Sequence, residues 1–251
     1  MKIAILGYGK MGRIIEKVAE DRNHEIILKI GSSNQNELST EALKKADVVI
    51  EFSTPNVVLR HIQECFKAKV PIIVGTTGWY EHLQSIENEC KETGNTLLYA
   101  SNFSIGVNVF FHANRLLAKL MNNYPDYKVH TEEIHHTRKM DSPSGTAITI
   151  AEGIIEGLNN KQEWVNTLNA ELEDKPDKTI QNNQLLIASK RIEDVPGTHT
   201  VQYASEVDCI ELKHTAHNRD GFALGTVLAA EWAQGKKGFY SEKDMFSFDM
   251  A

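Results

Sequence analysis

Two adjacent histidines, His135 and His136, lie close to Lys139 within residues 132–147. An imidazole gains and loses a proton near neutral pH, so either histidine can serve as a general acid or base. A nearby ammonium group adds fixed positive charge, which stabilises negative charge that develops on a bound substrate. The spacing therefore predicts an active site in which a proton donor and a cation act on an anionic species.

The same stretch contains a signal for the start of a helix. Ser142 followed by Pro143 is typical of an N-cap and the first helical position. The amides of Ser144, Gly145 and Thr146 would then face an anion, and the glycine lacks a side chain that would obstruct it. We predict a carboxylate-binding helix end next to the proton donor. The alternative is a well-capped helix beside a basic surface loop, which does not need two histidines.

A glycine-rich loop follows the first apolar run of the chain. Residues 2–6 are typical of a buried strand, and residues 13–21 have the apolar spacing of a helix. In a GxGxxG loop between such elements, the first glycine permits the tight turn and the second lets the backbone approach a pyrophosphate. The third allows close packing of helix and strand. The alternative is a glycine-rich turn without a ligand. The residues of the predicted cofactor loop are Gly7, Gly9, Lys10, Met11 and Gly12.

The second predicted strand, residues 24–30, has no Asp or Glu near its end, where NAD-specific sites hold the adenosine ribose with an acidic residue. Its end carries Lys29, followed by Ser32 and Ser33. These residues suit a 2′-phosphate and favour NADP. The alternative is that Lys29 is only a solvated surface charge.

Strands and helices alternate up to residue 100, which indicates an α/β fold with a doubly wound parallel sheet of the Rossmann type. Further strands are predicted over residues 47–52, 70–74 and 96–100. Ligands bind at the carboxyl ends of the strands in such sheets. The loop at residues 75–78 offers amides and hydroxyls for a nicotinamide carboxamide, or it is a plain turn with capping threonines. Candidate cofactor residues at this edge are Phe52, Gly75, Thr76, Thr77, Ser101, Asn102 and Phe103.

The alternation stops after Ala100, and a long apolar helix is predicted over residues 106–121. The strands that follow predict an α+β domain with an open, four-stranded sheet of mixed direction. Such a sheet would bury its uncovered face by association. Residues 159–183 are polar and predict a loop, whereas residues 220–234 predict a helix. The predicted strands of this part are 127–136, 184–192, 199–204 and 209–215.

Composition excludes several classes of function. The 251 residues carry a net charge of −7, which argues against nucleic acid as the main partner. No apolar run approaches the roughly 18–20 residues of a membrane span, and the first apolar run is too short for a signal peptide. The three cysteines lie far apart without CxxC spacing, which predicts a reducing compartment and no metal bound by them. We therefore expect a cytoplasmic protein.

Six segments resemble one family, the 4-hydroxy-tetrahydrodipicolinate reductases (dihydrodipicolinate reductases) of bacterial lysine and diaminopimelate biosynthesis. The most specific segment is residues 133–147, and the resemblance covers the chain nearly end to end. It implies reduction of 4-hydroxy-tetrahydrodipicolinate, a small dicarboxylate, to tetrahydrodipicolinate with NADPH or NADH as cofactor. The supporting segments are 75–78, 102–108, 197–201, 214–223 and 238–240.

The resemblance also implies a domain organisation. Residues 1–103 would form a dinucleotide-binding Rossmann domain, completed by a C-terminal helix within 218–251. Residues 104–217 would form a substrate-binding domain whose sheet builds a homotetramer. Two departures bear on the cofactor: the glycine loop is one residue shorter than the GxxGxxG form common in the family, and the usual acidic residue after it is missing.

The motif match assigns roles to individual residues. His135 would be the proton donor, Lys139 its cationic partner and His136 a substrate contact. Gly145 and Thr146 would hold a substrate carboxylate, and no metal is expected. Two alternatives are an amino-acid dehydrogenase on the same architecture and a nicotinamide-binding sensor without turnover, which would not require the histidine–lysine pair. The implied nicotinamide contacts are Gly75, Thr77 and the backbone of residues 101–103, with Arg219 near the cofactor.

Overall fold

The structure is a computed structural model that describes residues 1–168 and 180–246. Its backbone contacts divide the chain into two units. Unit 1 comprises Met1–Ile105 and Arg219–Ala251, and unit 2 comprises Gly106–Asn218. Within the described ranges, no helix combines the length and the apolar character needed to cross a membrane.

Unit 1 is built on a six-stranded sheet in the order β11-β5-β4-β3-β1-β2. Every neighbouring pair in this sheet is parallel. The C-terminal segment therefore adds an edge strand to the sheet, whereas the sequence predicted only a helix there. The strands are β1 (Lys2–Leu6), β2 (Glu25–Ile30), β3 (Val48–Glu51), β4 (Ile72–Val74), β5 (Thr96–Tyr99) and β11 (Gly238–Ser241).

Helices cover both faces of this sheet. Along β1, Ala4 and Leu6 belong to one buried cluster, and Ile3 and Ile5 belong to the other. Both faces are apolar because side chains alternate along a strand and each side meets helices. The helices of unit 1 are α1 (Lys10–Asp21), α2 (Thr40–Leu43), α3 (Pro55–Ala68), α4 (Leu83–Glu92), α7 (Asp220–Trp232) and α8 (Glu242–Met245).

Unit 2 holds a five-stranded sheet in the order β10-β9-β6-β8-β7. The pairs β6–β8 and β7–β8 are parallel, and the pairs β6–β9 and β9–β10 are antiparallel. Buried residues of α5 (Ile105–Met121) and α6 (Gly145–Gly157) share an apolar cluster with residues of this sheet. The strands are β6 (Lys128–His135), β7 (Glu163–Leu168), β8 (Gln184–Arg191), β9 (Thr198–Ala204) and β10 (Cys209–Thr215).

The sequence prediction for this sheet was wrong in one strand. Residues 159–183 were predicted to be a loop, but β7 lies within them and gives five strands instead of four. Trp164 on β7 packs, partly buried, against the apolar cluster. The end of this stretch, residues 169–179, falls outside the described residues. The predicted fold class is confirmed, with a parallel Rossmann-type sheet and a second, mixed sheet.

Candidate active site

Three neighbouring strands of unit 2 bring the candidate acid into a buried polar cluster. Glu133 and His135 are two residues apart on β6, so their side chains lie on the same face. The register places His199 of β9 and Ser189 of β8 on either side of Glu133. All four residues are buried on the face that α5 and α6 cover, with Glu133 fully inaccessible and His135 8% exposed.

The carboxylate of Glu133 is the centre of this cluster. It accepts hydrogen bonds from the amide of Ser144, at 3.1 and 3.2 Å, and from the hydroxyl of Ser189 at 2.8 Å. Nη2 of Arg191 lies 3.4 Å away. Nδ1 of His135 lies 3.3 Å from Oε2, an ion-pair distance if the ring is protonated, although the contact is not aligned as a linear hydrogen bond.

These contacts decide the charge of Glu133. Burial by itself raises the pKa of a carboxyl group, but the hydrogen-bond donors around Glu133, with His135 the foremost, outweigh it. They hold the pKa of Glu133 well below its usual range, so a negative charge sits beside Nδ1 of the candidate acid.

A second buried histidine packs against the first. The rings of His135 and His199 are 5.1 Å apart at 71°, an edge-to-face arrangement. Burial, together with the charge of His135, lowers the pKa of His199 to about 3. His199 is therefore neutral, and its Nε2 lies 3.3 Å from the hydroxyl of Ser144. His199 lies in one of the segments that resemble the family, but the sequence indicated no role for it.

Nε2 of His135 faces the backbone at Gly197. A Cβ atom at this position would lie 3.1 Å from Nε2 and 3.3 Å from Cδ2 of the ring. Such distances are shorter than side-chain packing normally allows. Glycine therefore leaves space beside the nitrogen that would carry the transferred proton.

The predicted start of α6 was wrong by two residues. The helix begins at Gly145, and Ser144 is its N-cap, with a side chain that accepts a hydrogen bond from the amide of Ala147 at 3.1 Å. Ser142 and Pro143 precede the cap. The amide of Ser144, predicted to face a ligand, donates to Glu133 instead. An internal carboxylate thus occupies the position that the sequence assigned to a substrate.

Gly145 and Thr146 form the first turn of α6. Among the described residues, no atom lies within 4 Å of a Cβ built on Gly145, and the first turn carries no acidic residue. Gly145 is exposed and Thr146 is half-buried. An open helix start without a negative charge of its own suits a substrate carboxylate.

Lys139 lies in the loop between β6 and α6. Its ammonium group is 2.8 Å from both carboxylate oxygens of Asp141, and its amide donates to the carbonyl of His136. Burial raises the pKa of Asp141, but the Lys139 ammonium outweighs it and lowers that pKa. Arg191 donates to the carbonyl of Asp141 at 2.6 Å, which fastens this loop to β8.

Glu133, His135 and His199 each offer one possible metal-ligand atom within 4.8 Å of the others. The chemistry of the cluster disfavours a cation. The carboxylate already accepts several hydrogen bonds, and the guanidinium of Arg191 adds positive charge beside it. The cluster therefore has the character of a hydrogen-bonded network around one buried carboxylate.

The glycine loop of unit 1 fits a dinucleotide. A Cβ at Gly7 would lie 2.1 Å from the carbonyl oxygen of Phe52, and one at Gly12 would lie 2.6 Å from that of Gly7. Gly9 has no atom of the described chain within 4 Å of such a Cβ. Helix α1 begins at Lys10 with no side-chain cap and no acidic residue in its first turn, which includes Met11. The loop therefore leaves an uncapped helix start for a pyrophosphate.

Three of the predicted cofactor residues at the carboxyl edge, Phe52, Gly75 and Phe103, lie close together. A Cβ at Gly75 would overlap the ring of Phe52 at 2.1 Å, and that ring lies 6.1 Å from the ring of Phe103. Thr76 accepts a hydrogen bond from the amide of Ser53 at 2.8 Å. The other predicted residues here are the exposed Thr77 and Ser101 and the half-buried Asn102.

Two further observations concern the cofactor. Lys29 forms an ion pair with Glu16 at 2.9 Å, and Tyr8 also donates to Glu16. Lys29 is therefore neutralised by a neighbour instead of standing alone. Arg219 immediately precedes α7, where its carbonyl accepts hydrogen bonds from the first turn.

Glu51, the carboxylate at the end of β3, was placed at the ligand-binding edge from the sequence but was given no role of its own. Glu51 is fully buried, accepts from the amide of Ser53 at 3.1 Å and lies 3.1 Å from Nδ1 of His61. It holds the turn that presents Phe52. An acidic residue directly after a buried apolar run was the available signal.

The family models decide the identity of the chain. Residues 1–103 match the model described as dihydrodipicolinate reductase, N-terminus, and residues 106–246 match the model of its C-terminus. The chain belongs to the dihydrodipicolinate reductase family. It is therefore an NAD(P)H-dependent oxidoreductase, and the predicted family, enzyme class and cofactors are confirmed.

Relatives agree with this assignment. The 4-hydroxy-tetrahydrodipicolinate reductase of Christiangramia forsetii is 43% identical over 247 residues, which cover 98% of both chains. The solved dipicolinate-bound dihydrodipicolinate reductase from Paenisporosarcina sp. TG-14 has a TM-score of 0.78 at 24% identity, over 98% of this chain and 99% of that one. An amine dehydrogenase from Mycobacterium smegmatis has a TM-score of 0.59 at 12% identity, over 95% and 93% of the two chains. The fold is thus shared with other dehydrogenases.

Proposed function

We propose that this dihydrodipicolinate reductase family member reduces 4-hydroxy-tetrahydrodipicolinate to tetrahydrodipicolinate, with His135 as the acid. The observation that carries the proposal is the buried contact between Oε2 of Glu133 and Nδ1 of His135, at 3.3 Å, beside the open start of α6. It combines a proton donor with a carboxylate-binding turn, and the reaction needs both. A sensor without turnover would need neither.

The reaction adds a hydride and a proton to a conjugated ring. The bound nicotinamide would supply the hydride, and negative charge develops on the ring as the hydride arrives. His135 would give its Nε2 proton to that charge, and Lys139 would stabilise it electrostatically. Gly145 and Thr146 would orient one carboxylate of the substrate.

We assign the cofactor to unit 1 and the substrate to unit 2, with domain boundaries as predicted at residues 1–103 with 218–251 and at 104–217. His136, which follows the acid directly, would contact the substrate. NADPH is the preferred cofactor in this proposal because β2 ends without the acid that NAD-specific sites carry there. Lys29 would exchange its partner Glu16, 2.9 Å away, for the 2′-phosphate. The proposed cofactor contacts are Gly7, Gly9, Lys10, Met11, Gly12, Lys29, Phe52, Gly75, Thr76, Thr77, Ser101, Asn102, Phe103 and Arg219.

We also propose a homotetramer in the cytoplasm. Helices cover one face of the unit 2 sheet, whereas His130, Glu132 and Ile134 lie on the other face, partly exposed. Association would bury that face. All three cysteines are free, as expected in a reducing compartment. Light scattering coupled to size-exclusion chromatography tests the assembly, and a monomeric mass at micromolar concentration would contradict it.

The deciding experiment follows oxidation of NADPH and NADH in the presence of the condensation product of pyruvate and aspartate semialdehyde. We expect turnover with both cofactors and tighter binding of NADPH in a parallel titration. Lys44→Ala, which removes an exposed lysine of unit 1 paired with Glu41, is the control for Lys29→Ala in that titration. No oxidation with either cofactor would refute the proposed reaction, and oxidative deamination of an amino dicarboxylate would favour the amino-acid dehydrogenase.

A further inference from the structure

We propose that Glu133 is a positioning residue that fixes both the proton donor His135 and the start of α6. The inference rests on the proposed function, since it takes His135 as the acid. Its neighbours on the strand, Glu132 and Ile134, are only partly buried, whereas Glu133 is fully inaccessible. The structure assigns it this role through three separate contacts.

The first contact concerns the proton. Nδ1 of His135 lies 3.3 Å from Oε2 of Glu133, while Nε2 lies at the opposite side of the ring, beside Gly197. A carboxylate at Nδ1 holds one proton there in both protonation states of the ring. The second proton of the imidazolium is then on Nε2. When the substrate ring takes up a hydride, it also takes this Nε2 proton. His135 then becomes a neutral imidazole that keeps its proton on Nδ1, beside Glu133.

The second contact concerns the helix. Both oxygens of Glu133 lie within 3.2 Å of the amide of Ser144, the N-cap of α6. Because Gly145 and Thr146 follow the cap directly, a shift of Ser144 moves the turn that would hold the substrate carboxylate. One side chain therefore sets the geometry of both the acid and the anion-binding turn.

The third contact concerns rigidity. Ser189 donates its hydroxyl proton to Oε1 of Glu133 at 2.8 Å, and its oxygen also lies 2.8 Å from Oδ1 of Asn166 on β7. Asn166 in turn donates to the hydroxyl of Ser142 at 3.0 Å. The carboxylate is thus held from β8 and, through Asn166, from the loop before α6. Such a support is what a precisely placed acid requires.

The other charges around His135 determine how the loss of the Glu133 charge would change the stability of the imidazolium. The cations outnumber the anions near this ring once Glu133 is removed, so the imidazolium becomes less stable. The titratable groups on the packed elements are Glu133 on β6, Arg191 on β8, His199 on β9, His214 on β10, and Lys139 and Asp141 in the loop after β6.

Glu133→Gln tests the proposal because it keeps the shape of the side chain and removes its charge. We expect kcat to fall about 10²-fold or more at neutral pH, since general acid catalysis contributes roughly 10²–10⁴-fold. The alkaline decline of the kcat profile should move to lower pH, and KM for the substrate should rise. Dinucleotide affinity should not change. A merely structural role would not move the pH profile.

Two further variants keep the test decisive. Glu133→Asp retains the charge at a shorter reach, so it should keep the wild-type pH profile at reduced kcat, even if Glu133→Gln folds poorly. Glu156→Gln makes the same change in an ion pair with Arg115, 3.5 Å apart, on α6, and should behave as wild type. Identical pH profiles for wild type and Glu133→Gln would overturn the proposal.

A readout without turnover separates this inference from the proposed function. ¹⁵N NMR of the imidazole reports which nitrogen of neutral His135 carries the proton. We expect the Nδ1–H form in the wild type and a mixture or the Nε2–H form in Glu133→Gln. If the wild type shows this tautomer but does not turn over the substrate, the proposed reaction fails and the positioning role stands. The Nε2–H form in the wild type would refute the positioning role.

Discussion

The carboxylate of Glu133 accepts hydrogen bonds from the amide of Ser144, eleven residues further along the chain. This contact joins the strand that carries the candidate acid to the helix that would hold the substrate. Burial normally raises the pKa of a carboxyl group, but the hydrogen-bond donors around Glu133 lower its pKa by more and keep it ionised. The amide of the N-cap is thus occupied by a carboxylate of the protein itself, and the first turn of α6 is where the substrate carboxylate would bind.

Replacement of the acid gives the most direct prediction. His135→Ala should lower kcat by about 10²–10⁴-fold, because hydride addition would proceed without its proton donor. The affinity for NADPH should stay within about twofold of wild type, since the dinucleotide loop lies in unit 1. Steady-state kinetics and a fluorescence titration of NADPH measure the two quantities. Unchanged kcat would assign the acid to another residue, and Lys139 would then be the next candidate.

Gly197 should be sensitive to a single methyl group. A Cβ at this position would lie 3.1 Å from Nε2 of His135, so Gly197→Ala should push the imidazole or the strand aside. We expect kcat to fall at least about tenfold, because small displacements of reacting groups are costly. The thermal midpoint and the NADPH affinity of the same variant serve as controls. Wild-type kcat in Gly197→Ala would show that the space beside Nε2 is not used.

The sequence predicted the fold well because the strands of unit 1 are continuous apolar runs that any buried parallel sheet requires. It missed β7, since Glu163–Leu168 is an edge strand with a partly exposed, polar sequence. It also placed the start of α6 too early, because Ser142 and Pro143 carry the local signal and the decisive partner, Glu133, is distant in sequence.

The candidate site was predicted only in part. His135 stands out by its neighbours, whereas Ser189 and His199 join it through the register of three strands. Register depends on packing across the whole sheet and leaves no local mark. The role of Glu133 could have been inferred, since a residue two positions before His135 on a strand must share its face.

The first two glycines of the glycine loop, Gly7 and Gly9, should separate folding from binding. Gly9→Val should abolish dinucleotide binding with little change in thermal midpoint, because a Cβ at Gly9 meets no atom of the described chain within 4 Å. Gly7→Ala should instead destabilise unit 1 by more than about 1 kcal/mol. Its φ of +95° and a contact of 2.1 Å with the carbonyl of Phe52 both oppose a side chain. Calorimetry of NADPH binding and differential scanning calorimetry measure these effects. Tight NADPH binding by Gly9→Val would place the pyrophosphate elsewhere.

Stability should depend on pH through His199. Burial and the charge of His135 lower its pKa from 6.5 to about 3 in the folded protein, so the unfolded chain binds a proton more readily. The free energy of unfolding should therefore fall as pH decreases from about 6.5 towards 3. His199→Gln should unfold more easily at pH 7 but show a shallower pH dependence in guanidinium titrations. Part of the slope should remain, since burial also lowers the pKa values of His130 and His214. The control is His82→Gln, a change at an exposed histidine, which should keep the wild-type slope of unfolding free energy against pH. If His199→Gln also kept that slope, His199 would not carry the effect.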